Sequence, residues 1–190
     1  MNREPDPPST PPAYPAELEH AWQPPGGAPL LIRPLRPDDL ERELRFIRGL
    51  SQQTLYQRLQ YSARDVSTGE AVRLLELDYV NSMAIAAIEG AACADEIVGV
   101  SRYARIEDTP RAECAIVVAD AWQGRGLGTE LIRSLAHAAR ARGILTLVGQ
   151  SLAENHRIGA WARQFGCPAT TEPNSGGLLQ VTLDLSALPS

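Results

Sequence analysis

Residues 113–129 read ECAIVVADAWQGRGLGT, the pattern of a strand, a short loop and the start of a helix. Gly124, Gly126 and Gly128 strip side chains from the turn, so backbone can approach a ligand closely. The helix that follows offers unpaired N–H groups and the positive end of its dipole. Arg125 adds a charge, and a pyrophosphate suits the arrangement. The dinucleotide fingerprint needs G-x-G-x-x-G in the first βα turn. Here the spacing is G-x-G-x-G, Thr129 follows, and the segment comes after several strands. The P-loop ending G-K-[ST] is absent. Taken by itself, the triplet reads first as a glycine-rich turn with no ligand.

Glu113 stands on the same strand among apolar neighbours, where a carboxylate is costly unless it is used or paired. Partial burial would raise its pKa and improve it as a base. The plain alternative is a strand-end glutamate, solvated or paired with Arg102 or Arg111. Cys114 invites a covalent intermediate, but no histidine is near in sequence and strand cysteines are mostly inert. Of the three histidines, His20 falls in the N-terminal segment and His137 in mid-helix. His156, beside Asn155, could reach a site but reads as a surface residue at a helix start.

The elements that must carry these residues follow from periodicity. An apolar strand begins at Leu30. Pro37, Asp38 and Asp39 open a helix with Leu40, Leu44 and Ile47 at helical spacing. Ser51 opens a second helix with Leu55 and Leu59. Ser67 and Glu70 form a capping box before Val72 and Leu75. Apolar runs at 83–88, 97–106 and 114–118 have short links and no helix between them, so they are expected to be antiparallel. Leu127, Leu131 and Leu135 mark a helix that stops at Gly143. A strand at 144–148, a helix through Ile158, Trp161 and Phe165 ending at Gly166, and a strand at 178–185 complete an α+β chain. Residues 1–29, crowded with proline, read as an extended or disordered tail, and 30–190 as the domain. The sharper alternative is a strap that packs Tyr14 or Trp22 onto the domain, with a short helical turn within 16–22.

The 190 residues suffice for one domain and its core. Hydrophobic content of 44% and charged content of 22% are those of a globular protein. A formal net charge of -5 argues against a nucleic-acid partner. No segment approaches a membrane span. Cys93, Cys114 and Cys167 form no C-x-x-C pair, so no metal site is expected, and free thiols without a signal peptide point to the cytoplasm.

The run from Gln123 to Gly128 after Val117 and Val118 resembles motif A of the GNAT acetyltransferase superfamily. Leu152, Glu154 and Asn155, with Phe165 and Gly166 closing the next helix, resemble motif B. The order of elements matches over 30–185. Ile32-Arg33-Pro34, Arg36-Pro37-x-Asp39 and Ser51-x-x-Thr54-x-Tyr56-x-Arg58 are similar to the bacterial lysine-acetyltransferase branch that modifies acyl-CoA synthetases. The resemblance implies an α+β GNAT fold: a mixed, mostly antiparallel sheet with splayed strands, flanked by helices. It implies acetyl-CoA as co-substrate. The pantetheine arm would bond backbone at Ile116, Val117 and Val118. The pyrophosphate would sit on Gln123, Gly124, Arg125, Gly126, Leu127, Gly128 and Thr129. Asn155 would bond the pantetheine or the thioester region, or serve as a helix N-cap.

The same resemblance makes Glu113 the base in a direct attack by a primary amine, the ε-amino group of a protein lysine. Backbone N–H groups near Val118 would polarise the thioester carbonyl. An acyl-CoA synthetase is one such substrate. A small amine, or a catalytically silent CoA-binding module, are the alternatives, and a homodimer is left open. Many superfamily members carry Tyr six residues after the motif-B Asn. Trp161 stands there, so the general acid is unassigned. The branch often has a fused regulatory domain; 190 residues leave no room for one beside the catalytic domain, so regulation of that kind is not expected of this sequence. Substrate recognition is then left to loops at 61–66 and 90–96.

Overall fold

The structure, a computed structural model, describes residues 13–59, 68–90, 95–164, 166–171 and 177–186. The Ser67–Glu70 capping box, the loop at 61–66, Phe165 and residues 1–12 lie outside them, as does most of the loop at 90–96. Eight described strands form one sheet: β1 (His20–Trp22), β2 (Leu30–Pro34), β3 (Ser82–Glu89), β4 (Glu96–Arg105), β5 (Arg111–Val118), β6 (Thr146–Leu152), β7 (Ala169–Thr171) and β8 (Leu178–Asp184). Their order is β1-β2-β3-β4-β5-β6-β8-β7. Every pairing is antiparallel except β5 with β6. The helices are α1 (Leu40–Gly49), α2 (Gln52–Leu59), α3 (Thr68–Leu75), α4 (Leu127–Ala141) and α5 (His156–Gln164). This is the mixed, mostly antiparallel sheet flanked by helices that the sequence led us to expect.

Strand alternation sorts the two faces. On one face Ile32, Met83, Ile85, Ala112 and Leu147 are buried with Leu127, Leu131 and Leu135 of α4. On the other, Ala84, Ala86 and Val100 pack with Phe46 of α1, with Leu50 just after it and with Leu75 of α3. A third cluster, Ala162, Cys167 and Val181, seats α5 on the far end of the sheet. Gly99 sets the spacing of α4. A Cβ there would stand 2.9 Å from Leu131 Cδ1 and 3.4 Å from the Val117 carbonyl oxygen, so only glycine admits the helix this close. Beside it the Ser101 hydroxyl donates to the Leu131 carbonyl at 3.0 Å.

Two expectations need correction. Residues 14–22 are not a tail standing off the domain. Ala16–Leu18 form a 3-10 turn, and β1 pairs with β2 from His20↔Ile32 to Trp22↔Leu30. The Tyr14 hydroxyl donates to Glu19 at 2.6 Å, its ring meets Tyr79 edge-on at 5.9 Å, and Arg36 lies 4.7 Å over it. Burial and the bond to Glu19 push the Tyr14 phenol up to about 12. His20 bonds Glu130 of α4 at 3.2 Å. This is the strap alternative. The second correction concerns β6, which starts at Thr146 and runs to Leu152, past the apolar stretch at 144–148.

Candidate active site

The parallel pairing of β5 with β6 runs from Arg111↔Thr146 to Cys114↔Gly149 and ends there. Beyond it β5 stays on β4 up to Gly99↔Val118, while β6 stays on β8 up to Leu152↔Leu178. The two strands part, and the gap exposes one edge of β5. The Ala119 N–H bonds Val98 on the β4 side at 2.8 Å. By strand alternation Ile116 and Val118 therefore turn their N–H and C=O groups into the gap. The Val118 carbonyl accepts from Gln123 there at 3.0 Å.

On the helical side of the gap a cleft of about 570 Å³ lies between α4 and α5. Its lining includes Ile116, Val117, Val118, Gln123, Gly124, Gly126, Gly128, Thr129 and Asn155. Nine of the expected coenzyme residues therefore converge on one cleft. Leu127 does not line it: its side chain is fully buried beneath the helix start. Arg125 is exposed, its guanidinium 5.2 Å from the centre of the Trp122 ring in cation–π geometry. Gly126 is the N-cap of α4 with φ 87, and no side chain caps the helix. Gly124 also has positive φ, 76. A Cβ at Gly124 would meet nothing within 4 Å. An uncapped helix start, two left-handed glycines and open space before them fit a diphosphate.

Supporting bonds hold this loop. Gln123 donates to Thr54 at 3.2 Å and accepts from Arg157, tying the loop to α2 and α5. Asp120 accepts from the Ser51 N–H at 3.0 Å and from the Ser51 and Thr54 hydroxyls at 2.8 Å each. Burial works to raise the Asp120 pKa, but these bonds outweigh it and hold the carboxyl below the usual range. The loop-holding roles of Thr54, quoted above only within a string, and of Arg157 escaped the sequence reading because they depend on where α2 and α5 land. Asn155 begins α5 through its backbone: its carbonyl accepts from the Ile158 N–H at 3.1 Å. Its side chain bonds no described residue and lines the cleft. Trp161 also lines the cleft, half-buried, in the place where a tyrosine was the expectation.

On the opposite face lies a second cavity of about 580 Å³, lined among others by Glu113, Arg73, Glu76, Arg102, Gln150 and Gln180. Cleft and cavity share Cys114, Ala115 and Gln150, so they meet at the parting of the strands. Glu113 pairs with Ala104 of β4 and Val148 of β6, just before the gap. It is exposed, not partly buried as expected. It has no ion pair among the described residues. Arg102 is engaged elsewhere, donating to Glu43 at 2.7 Å and to the Leu74 carbonyl at 3.1 Å. Burial, set against the charge of Glu43, lowers the pKa of Arg102. Cys114 belongs to the wall beside α4. His20 is on the strap, His137 faces solvent on α4, and His156 opens α5 without lining the cleft. Among the described residues no three His, Cys, Asp or Glu side chains group as a metal site requires. No described helix is long and apolar enough to cross a membrane.

A sheet split beside a glycine-rich helix start is the architecture of acyl-CoA-dependent transferases, and the chain belongs to the GNAT acetyltransferase family. The family's acetyltransferase domain matches residues 29–168. It is therefore an N-acetyltransferase whose acyl donor is acetyl-CoA. Among curated relatives it is 37% identical over 132 residues to acetyltransferase PA5475 of Pseudomonas aeruginosa, covering 70% of this chain and 71% of that one. It is 32% identical over 142 residues to acetyltransferase Pat of Mycolicibacterium smegmatis, covering 70% of this chain but 42% of that longer protein. Among solved structures the GNAT domain of S. lividans PAT superposes with a TM-score of 0.82 at 27% identity, covering 90% of this chain and 99% of that domain.

Proposed function

We propose that the chain acetylates the ε-amino group of protein lysines by direct attack of the amine on acetyl-CoA. The observation that carries this reading is the meeting of two cavities at the gap between β5 and β6. One leads from the uncapped start of α4, the other holds Glu113. Ile116 and Val118, through the backbone groups turned into the gap, and Asn155 are suited to the pantetheine arm; the Val117 backbone faces β4, and this residue only lines the cleft. Gln123, Gly124, Arg125, Gly126, Leu127, Gly128 and Thr129 are suited to the diphosphate, Leu127 and its neighbours through backbone N–H groups. A lysine in the second cavity arrives as an ammonium ion, and only the neutral amine attacks a thioester. Glu113 takes the proton, directly or through water. The N–H groups turned into the gap are placed to polarise the thioester carbonyl. The likeness to acetyltransferase Pat and to the S. lividans PAT domain agrees with the branch that the sequence resembles, for which lysine is the acceptor.

Three acceptor sets test the proposal: an acyl-CoA synthetase, lysine peptides and a panel of free amines. CoA release and mass-spectrometric mapping are the readouts. Acetyl-lysine on protein or peptide, with little turnover of free amines, is the expected result. Turnover of free amines alone moves the acceptor to small molecules, and coenzyme binding without acetylation leaves a silent module. Gly126→Val is the matched control. Its φ of 87 is strained for any L side chain, and the added methyl groups would crowd the cradle. We expect coenzyme affinity to fall by at least about tenfold, or about 1.4 kcal/mol. Unchanged affinity in this variant would remove the cradle.

A further inference from the structure

We propose that Trp22, on the N-terminal strap, is a stacking platform for the adenine ring of the coenzyme, an inference that rests on the cradle proposed above. The strap brings Trp22 to the start of α4: a Cβ on Gly126 would lie 3.8 Å from Trp22 Cζ2. The indole is half-buried, packed at its base against the cluster that contains Trp122 and Leu127. Trp122 itself offers no platform. It is buried, roofed by Arg125, and its Nε1–H donates to Glu89 at 3.3 Å. Trp161 lines the cleft from α5, and the aromatic ring that stands against Gly126 of the cradle is Trp22.

The geometry of the ligand leads to the same place. Adenosine is joined to the diphosphate, so its base must lie within a few ångströms of the loop that holds the phosphates. On one side of that loop Gln123 and Arg157 are bonded to each other. On the other side stands the indole. Every nucleobase presents a π-face, and an indole is well suited to it. The platform is in position before any ligand arrives. The pairing of β1 with β2 fixes the register of Trp22 opposite Leu30. The bond of His20 to Glu130 at 3.2 Å ties the strap to the first turn of α4, and the Tyr14–Glu19–Arg36 cluster anchors its other end. A preorganised contact of this kind loses little entropy on binding.

The test compares two ligands by titration calorimetry, CoA and 4′-phosphopantetheine, which keeps one phosphate of the diphosphate and lacks the 3′-phosphoadenosine; each variant is compared with the native protein on the same ligand. Trp22→Ala is expected to raise the Kd for CoA by about tenfold, the size of one lost base stack. It should leave the Kd for 4′-phosphopantetheine unchanged. Trp22→Phe should restore most of the CoA affinity, because a smaller ring still stacks. Trp22→Leu, which keeps apolar bulk for packing, should behave like the alanine variant and guards against a folding defect in the latter. Equal weakening of both ligands, or of neither, overturns the platform. Rescue by leucine overturns it as well, since bulk would then be the whole effect. If the unmodified protein binds neither ligand, the cradle falls and the platform with it, a result distinct from binding of both with no effect at Trp22.

Discussion

Glu113→Gln is expected to lower kcat by about 10²–10⁴-fold, the usual contribution of a positioned general base, while CoA still binds with its normal affinity. The two halves separate because Glu113 lies in the cavity opposite α4 and takes no part in the coenzyme cleft. At neutral pH only about one lysine in a few thousand is uncharged, so an enzyme without a proton acceptor must wait for that fraction. The loss should therefore shrink as pH rises, because free amine then accumulates without help. Steady-state rates across pH, together with calorimetric titration of CoA, provide the check. Glu113→Asp should recover part of the rate, more on small acceptors than on protein ones. Its carboxylate is held one methylene further back. Undiminished turnover in the glutamine variant removes Glu113 from the role. A parallel loss of CoA affinity would instead mean that the substitution has disturbed β5.

Arg102 matters to this expectation. A free guanidinium beside Glu113 would hold it ionised and weaken it as a base. The structure directs Arg102 to Glu43 and to the C-terminal end of α3. The sequence offered Arg102 and Arg111 as equal candidates to pair with Glu113. Neither pairs with it among the described residues, and for Arg102 the reason is long-range packing: α1 lies over β4 and brings Glu43 to the arginine. Strand alternation alone does assign Glu113 a face. Whether a helix or an open cavity covers that face is a property of the assembled layers, and the expected partial burial failed for that reason.

Most of the sheet was legible because its interior strands carry unbroken apolar runs bounded by turns, and α4 because three leucines recur at helical spacing. The elements missed are those whose pairing supplies what composition withholds. β1 is three residues long, set between Pro15 and the Pro24-Pro25-Gly26-Gly27 turn, and exists because the edge of β2 offers it partners. β7 is an exposed three-residue strand that, among the described strands, pairs with β8 alone. The second half of β6 contains Gly149, Gln150 and Ser151, which read as loop. They remain strand because β8 pairs with them to Leu152↔Leu178, and Gln150 lines both cavities where they meet. The coenzyme-side motif was readable as a contiguous string. The groups that hold it, Thr54 and Arg157, were not, because contact across 69 and 34 residues leaves no local pattern.

Asp39→Ala is expected to destabilise the fold by about 3–5 kcal/mol, the cost of leaving one member of a buried ion pair alone. Arg33 holds Asp39 through two bonds of 2.6 and 2.7 Å, and both side chains are buried. The Arg36 N–H at 2.8 Å and Arg42 at 3.2 Å complete the carboxylate's shell. At about 2–4 °C per kcal/mol for a chain of this size, Tm should fall by roughly 6–20 °C. The double variant Arg33→Met with Asp39→Leu should recover most of that loss, because the pair's net contribution is small once neither charge is buried alone. The pH dependence has a definite sign. Burial works to raise the Asp39 pKa, but the bonds from Arg33 and the Arg36 backbone outweigh it, so the folded-state pKa lies below the ordinary value. A depressed carboxylate stabilises above its unfolded pKa of about 3.9 and loses that contribution as pH falls through the folded value. The gap in Tm between the native chain and Asp39→Ala should therefore be full near neutrality and close progressively below about pH 4. A gap that persists undiminished to pH 2 would show that Asp39 does its work without its charge. Arg33, Arg36 and Asp39 are among the residues that carried the resemblance to the lysine-acetyltransferase branch. Their geometry gives that string a structural role: it fixes the turn from β2 into α1, from which Glu43 reaches Arg102 and keeps that arginine from Glu113.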